Sequence, residues 1–163
     1  MRALALGLAL VAAPALAQDV SYDPAILTAC LGGAGDDRAS CIGKASDKCL
    51  EGEGASSTVG TVACLRAEAD QWDGLLNTAY ASVLAQSEQT DAEMKELGSA
   101  ADPEVPALRD MQRSWIGYRD AACAYEVTRW GGGSGGGPAA TGCVMELTAR
   151  QALRLMGYAD TQR

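Results

Sequence analysis

The chain has 163 residues, with 21 acidic side chains against 13 basic ones, a formal net charge of −8 and no histidine. Such a charge repels nucleic acid and anionic membrane and favours cationic partners. Without histidine, Ser-His-Asp and Cys-His hydrolysis are excluded, and with no C-x2-C pair among the six cysteines neither zinc nor any cofactor is expected.

The opening residues MRALALGLALVAAPALAQ combine Arg2, an apolar run over 3–13 and Ala15-Leu16-Ala17 as a small-x-small cleavage site, the form of a secretory signal peptide. The run falls short of the roughly 20 apolar residues that a membrane span needs. Residues 1–17 are therefore expected to be removed, leaving about 146 residues in the periplasm or medium, with no membrane insertion and a core suited to one domain. An exported chain meets an oxidising compartment, so the six cysteines are expected as three disulfides.

A short helix is expected over 21–30, with Pro24 in its first turn and Ile26, Leu27 and Cys30 on one side. GGAGDD breaks it. Asp36 or Asp37 can cap a second helix over about 38–50, where Cys41, Ala45 and Cys49 recur at four-residue spacing. Residues 18–60 thus read as a Cys-rich helical segment packed on a main domain over 61–163, and EGEGASSTVG is the turn between them. A third helix, capped by Thr58 or Thr61, is expected over about 61–86, with Cys64, Glu68, Trp72, Leu75, Leu76, Ala79 and Val83 on its core stripe. The polar residues after it predict one short helix ending at Gly98 and then a Pro-marked loop.

A fourth helix is expected over about 106–130, with Met111, Trp115, Tyr118, Ala122 and Tyr125 as an apolar stripe. A second line, Gln112, Trp115, Arg119 and Cys123, runs beside it. GGGSGGGPAATG ends this helix, and a fifth follows from near Pro138, with Gly157 as its stop. No segment alternates apolar and polar residues, and β-branched residues are sparse, so the fold class is all-α: a small disulfide-stapled bundle of about four to five helices.

Helices joined by a turn bring together residues equidistant from it, which favours Cys49–Cys64 and Cys123–Cys143 and leaves Cys30–Cys41. The glycine run has no following Lys for a phosphate loop and follows a helix rather than a strand. Glu68 and Asp73 lie five residues apart and point in different directions, so no catalytic pair and no enzyme activity is expected. Asp73 and Asn77 on the third helix face Gln112 and Arg119 on the fourth as an expected polar seam, with an Arg119 fork on the Asp73 carboxylate. Exposed turns carry the candidate partner contacts: Glu51, Glu53, Trp130 and Ser134, with the 87–104 loop beside them.

The order E-x3-WD-x2-LN-x2-Y over 68–80, Q-x2-WI-x-YRD-x2-C over 112–123, then a Gly-rich loop, Cys143 and T-x-R over 148–150 resembles the LprI-like lysozyme-inhibitor family. The likeness covers about 64–158 and leaves CIGKASDKC beyond the minimal pattern. The resemblance implies a small helical exported domain that binds and inhibits a protein partner, c-type lysozyme. An envelope-associated interaction module without lysozyme activity is the other reading.

Overall fold

The computed structural model describes residues 20–161; the expected signal peptide lies outside them. Five helices follow in order: α1 (Pro24–Gly33), α2 (Lys44–Leu50), α3 (Thr58–Glu96), α4 (Glu104–Arg129) and α5 (Gly136–Thr161), with a 3-10 turn at Arg38–Cys41. No strand occurs among the described residues, and the fold is all-α.

Local chemistry sets most of the boundaries. Asp23 caps α1 by accepting from the Ala25 N–H at 2.9 Å, with Pro24 in the first turn. The expected second helix is in fact divided: Gly43 has a left-handed φ of 91°, which resets the chain between the 3-10 turn and α2. Ser57, rather than Thr58 or Thr61, caps α3 by accepting from the Gly60 N–H at 2.9 Å. This helix also runs ten residues past the expected end, because SEQTDAEMKE contains no breaker and Gln89 bonds Glu93 one turn on at 2.8 Å. It stops where Gly98 takes φ 64° and Ser99 N donates back to Met94 O, the usual left-handed end. The helix α5 starts two residues before Pro138 and passes through Gly157 to Thr161, since Leu155 and Ala159 are buried on either side of that glycine.

Helices α3 and α5 run parallel and make the main contact: Gly137 faces Val62, Gly142 faces Leu65, and Gln86 Nε2 reaches Ala159 O at 3.4 Å. Antiparallel to α5 lies α4, tied by Cys123–Cys143 and by Gln151 Nε2 donating to Gln112 Oε1 at 3.0 Å. Trp72, Leu27 and Leu155 are fully buried, each contributing about 2–3 kcal/mol of transfer free energy. Leu27 and Cys41 from the N-terminal segment share one core cluster with Trp72 and Leu155, so that segment completes the main core.

The sulfurs pair as Cys30–Cys41, Cys49–Cys64 and Cys123–Cys143, with Cα separations of 5.7, 5.7 and 5.4 Å. Closing the loop between Cys123 and Cys143 stabilises by about 3 kcal/mol in the chain-entropy account.

The face that α4 buries keeps Met111, Trp115 and Ala122 of the expected stripe, all half-buried, but not its two tyrosines. Leu108 and Cys123 are buried and Gln112, Trp115 and Arg119 half-buried, whereas Tyr118 and Tyr125 are 62% and 64% exposed. The tyrosines are left out because the Cys123–Cys143 link and the Gln112–Gln151 bond turn the second line toward α5.

Candidate functional site

The most concentrated polar chemistry in the fold surrounds Glu68. Its side chain is fully buried on α3, and its carboxylate accepts three N–H groups: Gly43 N at 2.7 Å, Ser46 N at 2.6 Å and Trp72 Nε1 at 3.0 Å. The N-cap of α2 is Gly43, which has no side chain to offer. A neighbouring helix thus supplies the acceptor that α2 lacks, and its negative charge meets the positive end of the α2 dipole. Ser46 is also buried; its hydroxyl donates to Gly43 O at 2.9 Å. Every oxygen of Glu68 is engaged in holding helices, so the carboxylate is not presented to a substrate.

Tyr22 closes this region from outside, its hydroxyl donating to Gln71 Oε1 at 2.5 Å. Burial, with the Glu68 and Asp23 charges added, pushes the Tyr22 phenol well above its ordinary value.

A second carboxylate of α3 does the same work at the far end. Pro103 stands at the N-cap of α4 without a side-chain bond. Asp91 instead receives Glu104 N at 2.7 Å and Val105 N at 3.1 Å. Sequence reasoning missed both caps. Their signals are a glutamate inside the core stripe, which demands donors, and two short connections whose next helix lacks its own Ser, Thr, Asp or Asn cap.

The expected seam of Asp73, Asn77, Gln112 and Arg119 does not form. Asp73 is exposed and accepts from its own helix, Asn77 Nδ2 at 2.9 Å. Gln112 turns to Gln151 of α5. Arg119 lies over the Trp115 ring, 5.0 Å from its centroid, and donates through Nε and Nη2 to Asp120 at 3.0 and 2.8 Å. The physical reason is the packing order: α5 takes the place beside α3 that the seam assigned to α4, so the fastening bond crosses to Gln151 instead.

The four candidate contact residues come to one end of the bundle. Parallel α3 and α5 both begin there, and each is preceded by one of the two turns. Glu51, Glu53, Trp130 and Ser134 are all exposed. Lys48 Nζ donates to Glu51 at 2.6 Å, which raises the Lys48 pKa. The Trp130 indole lies directly on Gly135, where a β-carbon would overlap the ring. Rather than a loose linker, the glycine stretch is a hydrogen-bonded turn, with Gly133 N on Trp130 O at 2.9 Å and Gly136 N on Gly133 O at 3.1 Å.

Between α4 and α5 lies an open groove of about 410 Å³. Tyr118, Ala122 and Glu126 line one wall, and Ala139, Glu146 and Leu147 the other. Among the described residues no group of His, Cys, Asp and Glu is arranged to hold a metal ion, and no helix is long and apolar enough to cross a membrane.

Fold and site together define a small disulfide-stapled helical domain whose buried polar groups hold its own helices. The chain belongs to the LprI lysozyme-inhibitor family: the family model described as "Lysozyme inhibitor LprI" matches residues 49–155. The match takes in Glu68, Trp72, Asp91 and the α4–α5 groove, and begins at Cys49, after most of the N-terminal segment. An uncharacterised protein of Rhizobium meliloti (strain 1021) is 36% identical over 83 residues, which are 51% of this chain and 60% of that relative. The chain thus spans about three fifths of that relative's length. No solved structure matches it.

Proposed function

We propose that the chain is an exported, non-catalytic binding protein that inhibits c-type lysozyme. The observation that carries this reading is the family match over 49–155. Three disulfides suit an oxidising compartment outside the cytoplasm. Charge supports a basic partner: residues 86–104, the far end of the α3–α4 hairpin, hold six carboxylates against the single Lys95. Such a concentration of charge raises the encounter rate with a cationic protein, and its effect falls with salt.

The test is the clearing of a cell-wall suspension by hen and human lysozyme, with and without the purified oxidised chain, at low and moderate ionic strength. Slower clearing that relaxes as salt rises is the expected result. Unchanged clearing with both enzymes at low salt overturns the inhibitor reading, and clearing by the chain alone overturns the non-catalytic one.

A further inference from the structure

We propose that the groove between α4 and α5 seats a lysine or arginine side chain projecting from a cationic protein partner. The proposal rests on the binding-protein reading above and names a contact site for it, a groove that none of the four turn residues lines. Ionised groups in the groove lining are Glu126 and Glu146, one on each wall, and no cation lines it. Their own partners, Arg129 and Arg150, are each held within the same helix, at 3.1 and 2.8 Å, and are 60% and 59% exposed. Ion pairs this open are weak and exchange readily with an incoming cation.

The rest of the lining suits the stem of such a side chain. Ala122, Ala139 and Leu147 give the two walls apolar surface, against which the methylenes of Lys or Arg pack while the charged head stays near the rim. Tyr118 adds a π face at that rim and is 62% exposed; the antiparallel register set by Cys123–Cys143 and Gln112–Gln151 brings it level with Glu146, so a guanidinium or ammonium can settle over its ring beside that carboxylate, with Glu126 two turns farther along α4. The Cys123–Cys143 disulfide fixes the spacing of the two walls, so the groove is preformed and little ordering is lost on binding. Tyr125, two helical turns along from Tyr118 and equally exposed, extends the same edge for a neighbouring contact.

The oxidised ¹⁵N-labelled chain is titrated by NMR with amidated tri-arginine peptide and, separately, with hen lysozyme. The expected result is that amide shifts for both ligands centre on residues 118, 122, 126, 143 and 147. Tyr118→Ala and Glu146→Gln each weaken binding about threefold and together about tenfold, Tyr118→Phe keeps wild-type affinity, and Asp70→Asn on the outer face of α3 does too. Shifts confined to residues 86–104, with no loss in the groove variants, overturn the proposal. Lysozyme binding that maps elsewhere and ignores these variants also overturns it, while leaving the inhibitor reading in place. Absent lysozyme binding, with the peptide still seated in the groove and sensitive to Tyr118→Ala, removes the inhibitor reading and keeps the groove. Thermal melts of each variant separate lost binding from lost fold.

Discussion

The indole N–H of Trp72 donates to Glu68 Oε1 at 3.0 Å, one turn away on α3 and wholly out of water. The same carboxylate ends α2 through Gly43 N and Ser46 N. A charge buried this deeply is tolerated because three donors replace its hydration, two of them from the positive end of a helix. Removing it leaves those donors facing apolar surroundings. Glu68→Ala is expected to cost about 3–5 kcal/mol, the scale for breaking a buried charge interaction. Glu68→Gln sets an amide NH2 against a donor and is expected to cost about 2 kcal/mol. Urea denaturation of the oxidised variants measures both. A loss under about 0.5 kcal/mol for Glu68→Ala would show that α2 does not depend on this carboxylate.

Asp91 makes the corresponding bonds at the start of α4, but it is only half-buried. Water can therefore replace part of what it gives, and the expected cost of Asp91→Ala is about 1 kcal/mol, the usual value of an N-cap. Asp91→Asn keeps an acceptor and should recover about half of it. Hydrogen exchange reads the effect directly: the Glu104 and Val105 amides lose protection in Asp91→Ala while those of Trp72 and Leu76, in the middle of α3, do not. Equal loosening at both places would mean that Asp91 acts on the whole bundle rather than on one helix end.

These two caps also mark where sequence reasoning reached and where it stopped. Regular 3-4 spacing from Cys64 to Val83 made α3 legible, since a buried stripe writes itself as period. Beyond Gln86 the helix is exposed on most sides, so no stripe recorded it, and only helix propensity and the Gln89–Glu93 pair spoke for its continuation. On α4 two lines of residues were equally regular. Which one packs depends on α5, through Cys143 and Gln151, and that partner cannot be read from α4 alone. Glu68 stood in the apolar stripe in plain view. Trp72 is one turn away, but the two backbone donors lie 25 and 22 residues upstream in the chain, so only the fold connects those. The exposure of the turn residues was legible by type, and their meeting at one end follows from the parallel course of α3 and α5.

Two glycines in helices separate close packing from simple tolerance. A β-carbon on Gly60 would stand 2.1 Å from Gly54 O and 2.7 Å from Ala55 Cα, both backbone atoms of the preceding turn. That turn also places Ala55 in the small core of Cys49 and Cys64. Gly60→Ala is expected to destabilise by about 2–3 kcal/mol, because backbone rather than a flexible side chain must move. Gly157 meets nothing within 4 Å and is helical. Gly157→Ala should therefore stabilise by about 0.5–1 kcal/mol through helix propensity and lost freedom of the unfolded chain. Thermal melts of the pair are expected to move in opposite directions, and a shared direction would contradict the packing assigned to one of them.

Tyr22 gives the fold a dependence on alkali. Burial first, and then the nearby charges of Glu68 and Asp23, hold its phenol in the protonated form above the ordinary value of 10.0. The neutral form is the one the folded state favours, while the unfolded chain ionises at the ordinary value. Stability from this group is thus fully present below pH 10 and is lost as pH rises from there toward the raised folded pKa. The loss is modest because Tyr22 is only partly buried and solvent screens part of the effect. Tyr22→Phe removes the titrating proton together with the bond to Gln71. It is expected to be somewhat less stable than wild type at neutral pH, with a flatter decline of the urea midpoint above about pH 10. A decline as steep in Tyr22→Phe as in wild type would place the alkaline sensitivity in another group.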